Sequence, residues 1–193
     1  VDYAVTSGSA TAGDDFTATS GTLNFAVGEL VKQIQIPILD DNVAEADETF
    51  TIALSNPTGV SFGNPSSESV TIQDDEAAPR VSLGSGAIVL NESVGVTTIE
   101  LTLSGPSQAP ITVDLTTVDG SAKVGEDYSA AEQTITFAPG ATSATATIEV
   151  LPDAIYERDE MLAVELSNVG NGELGNGKAD VIIEEDDPAP TIS

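Results

Sequence analysis

Two stretches, Ser7-Gly8-Ser9-Ala10-Thr11-Ala12-Gly13-Asp14-Asp15-Phe16 and Asp119-Gly120-Ser121-Ala122-Lys123-Val124-Gly125-Glu126-Asp127-Tyr128, carry the same phrase 112 residues apart. The match extends in both directions. Val1 to Pro57 aligns with Val113 to Val169 without a gap, with about 21 of 57 positions identical. Asp47-Glu48 matches Asp159-Glu160, and Leu54-Ser55-Asn56 matches Leu166-Ser167-Asn168. After a one-residue slip, Val70 and Ile72 pair with Val181 and Ile183, and Pro79 pairs with Pro190. The chain is therefore a tandem repeat. The expected frame is a first repeat at 1–78 that lacks its first two strands, a complete repeat at 79–189, and the start of a third at 190–193. Because the chain opens directly on a strand, it is expected to be a fragment of a longer array.

Within each repeat the apolar residues alternate. Ile34, Ile36 and Ile38 alternate with Gln33, Gln35 and Pro37, and Phe50, Ile52 and Leu54 with Thr51, Ala53 and Ser55. Ile99, Leu101 and Leu103 do the same in the second repeat. A period of two in short runs rich in Val, Ile and Thr predicts half-buried strands, separated here by Gly-, Pro- and Asn-containing turns. The second repeat yields seven, near 80–90, 96–103, 111–118, 133–137, 142–151, 161–167 and 179–184, designated A to G. Seven strands in about 110 residues predict an all-β fold: tandem immunoglobulin-like seven-stranded antiparallel β-sandwiches of Greek-key type.

Composition narrows the function. The 193 residues include 32 acidic and 5 basic side chains, for a net charge of −27. Nucleic acid is excluded as a partner, because phosphate neutralisation needs Lys and Arg. An anionic membrane surface repels such a chain, and no apolar run is long enough for insertion as a spanning helix. There is no Cys and no His, which removes disulfides, thiolate and imidazole metal sites, and Ser-His or Cys-His catalysis. Paired carboxylates hydrolyse glycosides in other proteins. Here Trp is absent and five Phe and three Tyr are the whole aromatic complement, so no sugar subsites accompany them. The chain is not expected to be an enzyme.

The acids are not scattered. If successive strands run up and down, the A–B turn, the C–D loop, the E–F loop and the end of strand G share one pole. In the second repeat this gathers Glu92, then Glu126 and Asp127, then Asp153, Glu157, Asp159 and Glu160, then Glu185, Asp186 and Asp187. The first repeat gathers Asp15, then Asp40, Asp41, Glu45, Asp47 and Glu48, then Asp74, Asp75 and Glu76. The loops of the opposite pole, 104–110 and 138–141, carry no acid. Crowded carboxylates repel unless a cation offsets them. Ca²⁺, which accepts six to eight oxygens in flexible geometry, suits such a cage better than octahedral Mg²⁺, and Zn²⁺ would want His or Cys. Asp15 and Asp127 also have a plainer reading as turn residues bonding their own backbone.

These phrases resemble the Calx-beta repeat family, found in Na⁺/Ca²⁺ exchangers, an integrin subunit and many large bacterial surface proteins. The carriers are Asp-Gly-Ser-Ala at 119–122 with Gly-Glu-Asp-Tyr at 125–128, Thr-Phe-Ala-Pro-Gly at 136–140, Ile-Leu-Asp-Asp-Asn at 38–42 with Glu45 and Glu48, Leu-Ser-Asn-Pro at 54–57, and Thr-Ile at 71–72 with Asp-Asp-Glu at 74–76. The resemblance implies the sandwich fold and Ca²⁺ ligands drawn from the four acidic segments. Carried over residue by residue, it offers Asp15, Asp40, Asp41, Glu45, Glu48, Asp74 and Asp75 in the first repeat. In the second it offers Glu92, Asp127, Asp153, Glu157, Glu160, Asp186 and Asp187. Pro152 stands where the first repeat has Asp40, so the second is expected to hold fewer or weaker ions. The first repeat has no A–B acid within this chain.

The expected role is a Ca²⁺-binding structural module of an extracellular or cell-surface array, with the ion stiffening the junction at Ala77-Ala78-Pro79. An adhesin module contacting a receptor or glycan through its loops, and a regulatory Ca²⁺ sensor, are the alternatives. Expected partners are neighbouring repeats of the same chain. Because a sandwich without strands A and B exposes its core, head-to-tail copies in a filament are a further expectation.

Overall fold

A computed structural model of the chain describes residues 1–84 and 86–192. Ser85, inside the expected strand A, and Ser193, at the end of the expected third-repeat start, lie outside the described residues. The chain divides into two compact units, Val1–Glu76 and Ala77–Ser193. Among the described residues, the regular structure is β apart from one 3₁₀ turn at Glu92–Val94, and no helix is long and apolar enough to cross a membrane.

Unit 1 holds β1 (Asp2–Ser7), β2 (Ser20–Thr22), β3 (Glu48–Ser55) and β4 (Ser67–Ile72) in one antiparallel sheet of order β2-β1-β3-β4. Its core is small. Val5, Ala10, Phe16 and Phe50 are buried, and the rings of Phe16 and Phe50 stack at 4.7 Å and 23°. Residues 33–38, whose alternation predicts a strand, form none; only Ile38 makes an isolated bridge, to Phe16. The reason is pairing. The matching segment of unit 2 is held by a neighbouring strand that has no counterpart in unit 1, and an unpaired strand leaves its backbone groups unsatisfied. Phe25 is 47% exposed, and Val27, Leu30 and Val31 are exposed as well.

Unit 2 closes the sandwich. One sheet contains β5 (Arg80–Leu83), β7 (Val96–Leu103), β10 (Ser143–Glu149) and β12 (Glu173–Leu174) in the order β10-β7-β5-β12. The other contains β6 (Ile88–Asn91), β8 (Ile111–Asp119), β9 (Glu132–Phe137), β11 (Glu160–Gly170) and β13 (Lys178–Glu184) in the order β6-β13-β11-β8-β9. Alternate residues of both sheets, from Val81 and Leu101 to Val164 and Val181, meet in a continuous core. The order β9-β8-β11-β13 is that of β2-β1-β3-β4 in unit 1, in equivalent register: Asp2 faces Ser55 as Asp114 faces Ser167.

Strand A refines the expected pairing. It is divided into β5 and β6, with Gly86 at a φ of 112° between them. Its first half joins one sheet and its second half the other, running parallel to β12 and β13. Among the described residues, the other strand pairs of unit 2 are antiparallel. A strand that changes sheets covers an exposed edge on each, which a single straight strand cannot do.

Candidate metal centres

The repeated Gly-Ser-Ala phrase builds the scaffold of both poles. Ala10 and Ala122 are fully buried, and their amides donate to the carbonyls of Thr49 and Met161 at 3.0 Å. The Ser9 and Ser121 hydroxyls accept from the amides of the same two residues at 2.8 Å. A Cβ on Gly8 or Gly120 would lie 2.4 or 2.3 Å from those carbonyl oxygens, so only glycine permits the approach. The clip fastens the C–D loop against the start of β3 or β11, where Glu48 and Glu160 stand. Phe16 and Tyr128 then pin the loop to the E–F segment through bridges to Ile38 and Val150. The Tyr128 hydroxyl donates to Asp119 at 2.6 Å, and burial together with that carboxylate pushes it up to about 12.

Asp15 and Asp127 follow directly. One oxygen of each accepts the amide four residues earlier, from Thr11 at 2.5 Å and Lys123 at 2.6 Å. The turn reading of these aspartates is therefore present in the structure, and it coexists with a second role. Asp15, Glu45 and Glu48 bring carboxylate oxygens within 4.8 Å of one another, and so do Asp127, Glu157 and Glu160. These trios occupy equivalent positions of the repeat.

A second group forms at each pole. In unit 1 it is Asp40, Asp75 and Glu76. In unit 2, Glu92 is shared between one group with Asp153 and Asp187 and another with Glu185 and Asp186. The 3₁₀ turn delivers Glu92, its first amides capped by Asn91, whose side chain accepts from Ser93 N. Glu92 is buried and its Oε1 accepts from Asp153 N at 3.3 Å. Other acids hold backbone. Asp47 and Asp159 accept from the amides of Asp74 and Glu185, tying the E–F loop to the terminal acidic run. Glu185 accepts from the amides of Glu157 and Asp187. In the repeated Asp-Glu pair, therefore, the Asp fixes the loop and the Glu faces its neighbours.

The electrostatics carry the mark of crowding. Burial, then Asp127 and Glu157, raise Glu160 to about 7 against a slight opposing pull from Lys123. Glu45 is raised by burial and then by Asp15, Asp41, Glu48 and Asp74. Glu76, Glu157 and Asp187 are likewise raised, by burial first and neighbouring carboxylates second, and Glu92 is raised by burial against the opposing hydrogen bond from the Asp153 amide, with Glu185 and Asp187 adding to the rise.

Every sequence-predicted residue lies at its pole. Asp15, Asp40, Asp41, Glu45, Glu48, Asp74 and Asp75 line one cavity in unit 1. Asp41 spends one oxygen on the Val43 amide, and Asp41 and Asp74 stand at the cavity outside the two trios. Glu92, Asp127, Glu157 and Glu160 line the cavity of unit 2, with Asp153, Asp186 and Asp187 in the adjoining groups. The predicted ligand set omitted Glu76 and Glu185, which belong to these groups. The one-residue slip between the repeats was the signal available, since it aligns Glu76 with Asp187 and Asp74 with Glu185. The donor set is all oxygen, and Asp187 Oδ2 is buried with no hydrogen-bond partner among the described residues. An acceptor in that condition fits a hard cation.

Comparison with known proteins adds identity. The family profile described as Calx-beta domain matches twice, over residues 1–76 and 74–187. Sodium/calcium exchanger 1 of Bos taurus is 28% identical over 198 residues, and sodium/calcium exchanger 3 of Mus musculus is 31% identical over 189. These alignments cover 93% and 86% of this chain but only 20% of either exchanger, so the chain spans about a fifth of those relatives. The crystal structure of the apo-form Calx CBD1 domain is similar with a TM-score of 0.54 and 28% identity, over 57% of this chain and 99% of that one. The two-domain structure of CBD12 from CALX1.2 gives a TM-score of 0.54 at 22% identity, over 94% of this chain and 86% of that one.

Proposed function

This chain belongs to the Calx-beta domain family, in two tandem copies, and from that premise we propose that each acidic pole is a Ca²⁺ centre and that the chain is a Ca²⁺-binding module. The observation that carries the reading is the equivalence of two trios, Asp15-Glu45-Glu48 and Asp127-Glu157-Glu160, gathered independently in two units with different cores. In unit 1 the ion would be held by Asp15, Glu45 and Glu48, with Asp40, Asp75 and Glu76 beside them and Asp41 and Asp74 at the rim. In unit 2 it would be held by Asp127, Glu157 and Glu160, with Glu92, Asp153, Glu185, Asp186 and Asp187 completing the pole. The ion would supply positive charge where the chain has concentrated negative charge. The chain's own contribution is to hold the carboxylates together against repulsion, through the Gly-Ser-Ala clip, the aromatic pin and the Asp47 and Asp159 ties.

The role is binding, not catalysis. Because the terminal acids of unit 1 lie within four residues of Arg80 in the sequence, an ion there would also order the connecting segment and stiffen the array. The apolar residues left exposed in unit 1 fit strands of the kind that β5 to β7 supply in unit 2, from adjoining chain or from a second copy. Placement as an extracellular spacer rests on the acidic, cysteine-free tandem composition. A second reading, a regulatory Ca²⁺ sensor, is favoured by the similarity to sodium/calcium exchangers.

Thermal melts in Ca²⁺, Mg²⁺ and EGTA test the proposal. A ligand at a hundredfold excess over its Kd adds about 2.7 kcal/mol to the folded state. A higher Tm is expected in Ca²⁺ than in Mg²⁺ or EGTA, and equal values in all three would overturn it. Small-angle scattering separates the two roles: a spacer lengthens and stiffens on loading, whereas a sensor changes shape over a narrow range of Ca²⁺.

A further inference from the structure

The chain has five basic residues, Lys32, Arg80, Lys123, Arg158 and Lys178. Arg158 lines the acidic cavity of unit 2, together with Glu92, Asp127, Glu157, Glu160 and Glu185. The equivalent position of the repeat is Ala46, which lines the cavity of unit 1. Lys123 stands on the loop that presents Asp127; its amide donates to that carboxylate at 2.6 Å. Its ammonium donates to the Gly120 carbonyl at 2.6 Å, lies 3.9 Å from Asp119 and acts on Glu160. The equivalent residue in unit 1 is Thr11. Among the described residues, no Lys or Arg lines the unit 1 cavity.

We propose that Lys123 and Arg158 are affinity-setting residues of unit 2: tethered positive charges that offset the carboxylates when no ion is bound and compete with the ion when it arrives. The inference rests on the cation-binding reading above. Its physical basis is that a fixed cation lowers the repulsive energy of the empty pole but not, to the same degree, that of the loaded one. It also repels the incoming ion. Both effects make loading less favourable. They act in the same direction as the replacement of Asp40 by Pro152, so unit 2 is the weaker centre and the more stable one without metal.

The test is a Ca²⁺ titration of the full 193-residue chain followed by amide NMR, with Gly13 and Gly125 reporting their own units. In the double variant Lys123→Thr/Arg158→Ala, which installs the unit 1 residues, exposed-pair energetics predict that unit 2 tightens by roughly tenfold, with unit 1 unchanged. In EGTA the same variant is expected to melt unit 2 at a lower temperature. The reciprocal Thr11→Lys/Ala46→Arg is expected to weaken unit 1 by a similar factor. Lys178→Thr removes one charge from the Glu165 pair at the far end of β13 and controls for net charge; unit 2 affinity should stay within about twofold. If unit 2 responds to Ca²⁺ but its affinity is unmoved or weaker in the double variant, this inference is overturned and the cation-binding reading stands. If neither reporter responds in the wild-type chain, the cation-binding reading falls and takes this inference with it.

Discussion

Asp15, Glu45 and Glu48 in unit 1 and Asp127, Glu157 and Glu160 in unit 2 occupy the same places in the repeat, yet one trio stands on a single sheet and the other on a closed sandwich. Unit 1 buries four apolar side chains; unit 2 buries an extended cluster from both of its sheets. The local clip is nevertheless the same in both, with the Ala10 and Ala122 amides donating at 3.0 Å and the Ser9 and Ser121 hydroxyls accepting at 2.8 Å. The pole is therefore built by contacts within one sheet and its loops. The second sheet contributes the stability behind it, and the turn that leads from β6 into β7 contributes one buried acid, Glu92.

The largest effect expected on this comparison comes from the aromatic pins. Phe16→Ala and Tyr128→Ala each remove a fully buried ring, at a cost of about 3–5 kcal/mol. Unit 1 should lose its dispersed NMR amides altogether, while unit 2 keeps its fold with a lower Tm. Equal survival of both units would show that unit 1 draws support from outside its four-residue core. Next come Gly8→Ala and Gly120→Ala, which force a methyl onto a backbone carbonyl and should cost about 1–3 kcal/mol as overpacking. Each should also weaken Ca²⁺ binding in its own unit, measured by calorimetry, because the clip positions Glu48 or Glu160.

Glu48→Gln and Glu160→Gln are expected to weaken Ca²⁺ by at least about tenfold in the substituted unit, or about 1.4 kcal/mol. In EGTA both should raise the Tm slightly, because they remove a like charge. A fall in Tm would mean that these glutamates serve packing instead of a cation. The smallest effect is in pH. Glu160 titrates near 7 in the folded chain against an ordinary glutamate value of 4.5. The folded state thus holds a proton that the unfolded state has lost across that window. Ion-free stability should rise as pH falls from about 7 to 4.5, and Ca²⁺ affinity at unit 2 should fall, with proton release on loading at pH 7. Calorimetry in buffers of different ionisation enthalpy measures that proton.

Much of the pole was legible because strand parity needs only the number of strands between loops, and the 112-residue offset supplied an internal check. The finer division was not. Asp47 and Asp159 read as acids like any other, but they accept from backbone amides and join none of the carboxylate groups of the described residues, whereas Glu76 and Glu185 do join them. Which oxygen faces which neighbour depends on loop dihedrals that alternation does not encode. Residues 33–38 read as a strand from their side chains and form none, because strand formation depends on a neighbour as well as on a pattern.

The repeat, the β class and the four acidic segments can be read from the order of residues alone, since each follows from local periodicity and turn chemistry. The division of strand A between two sheets, the burial of Glu92 against Asp153 and the place of Arg158 in the same cavity as Glu160 emerge with the folded sheets. These are contacts between residues far apart in the chain. Their energies depend on burial and distance, which exist only once the sheets have closed.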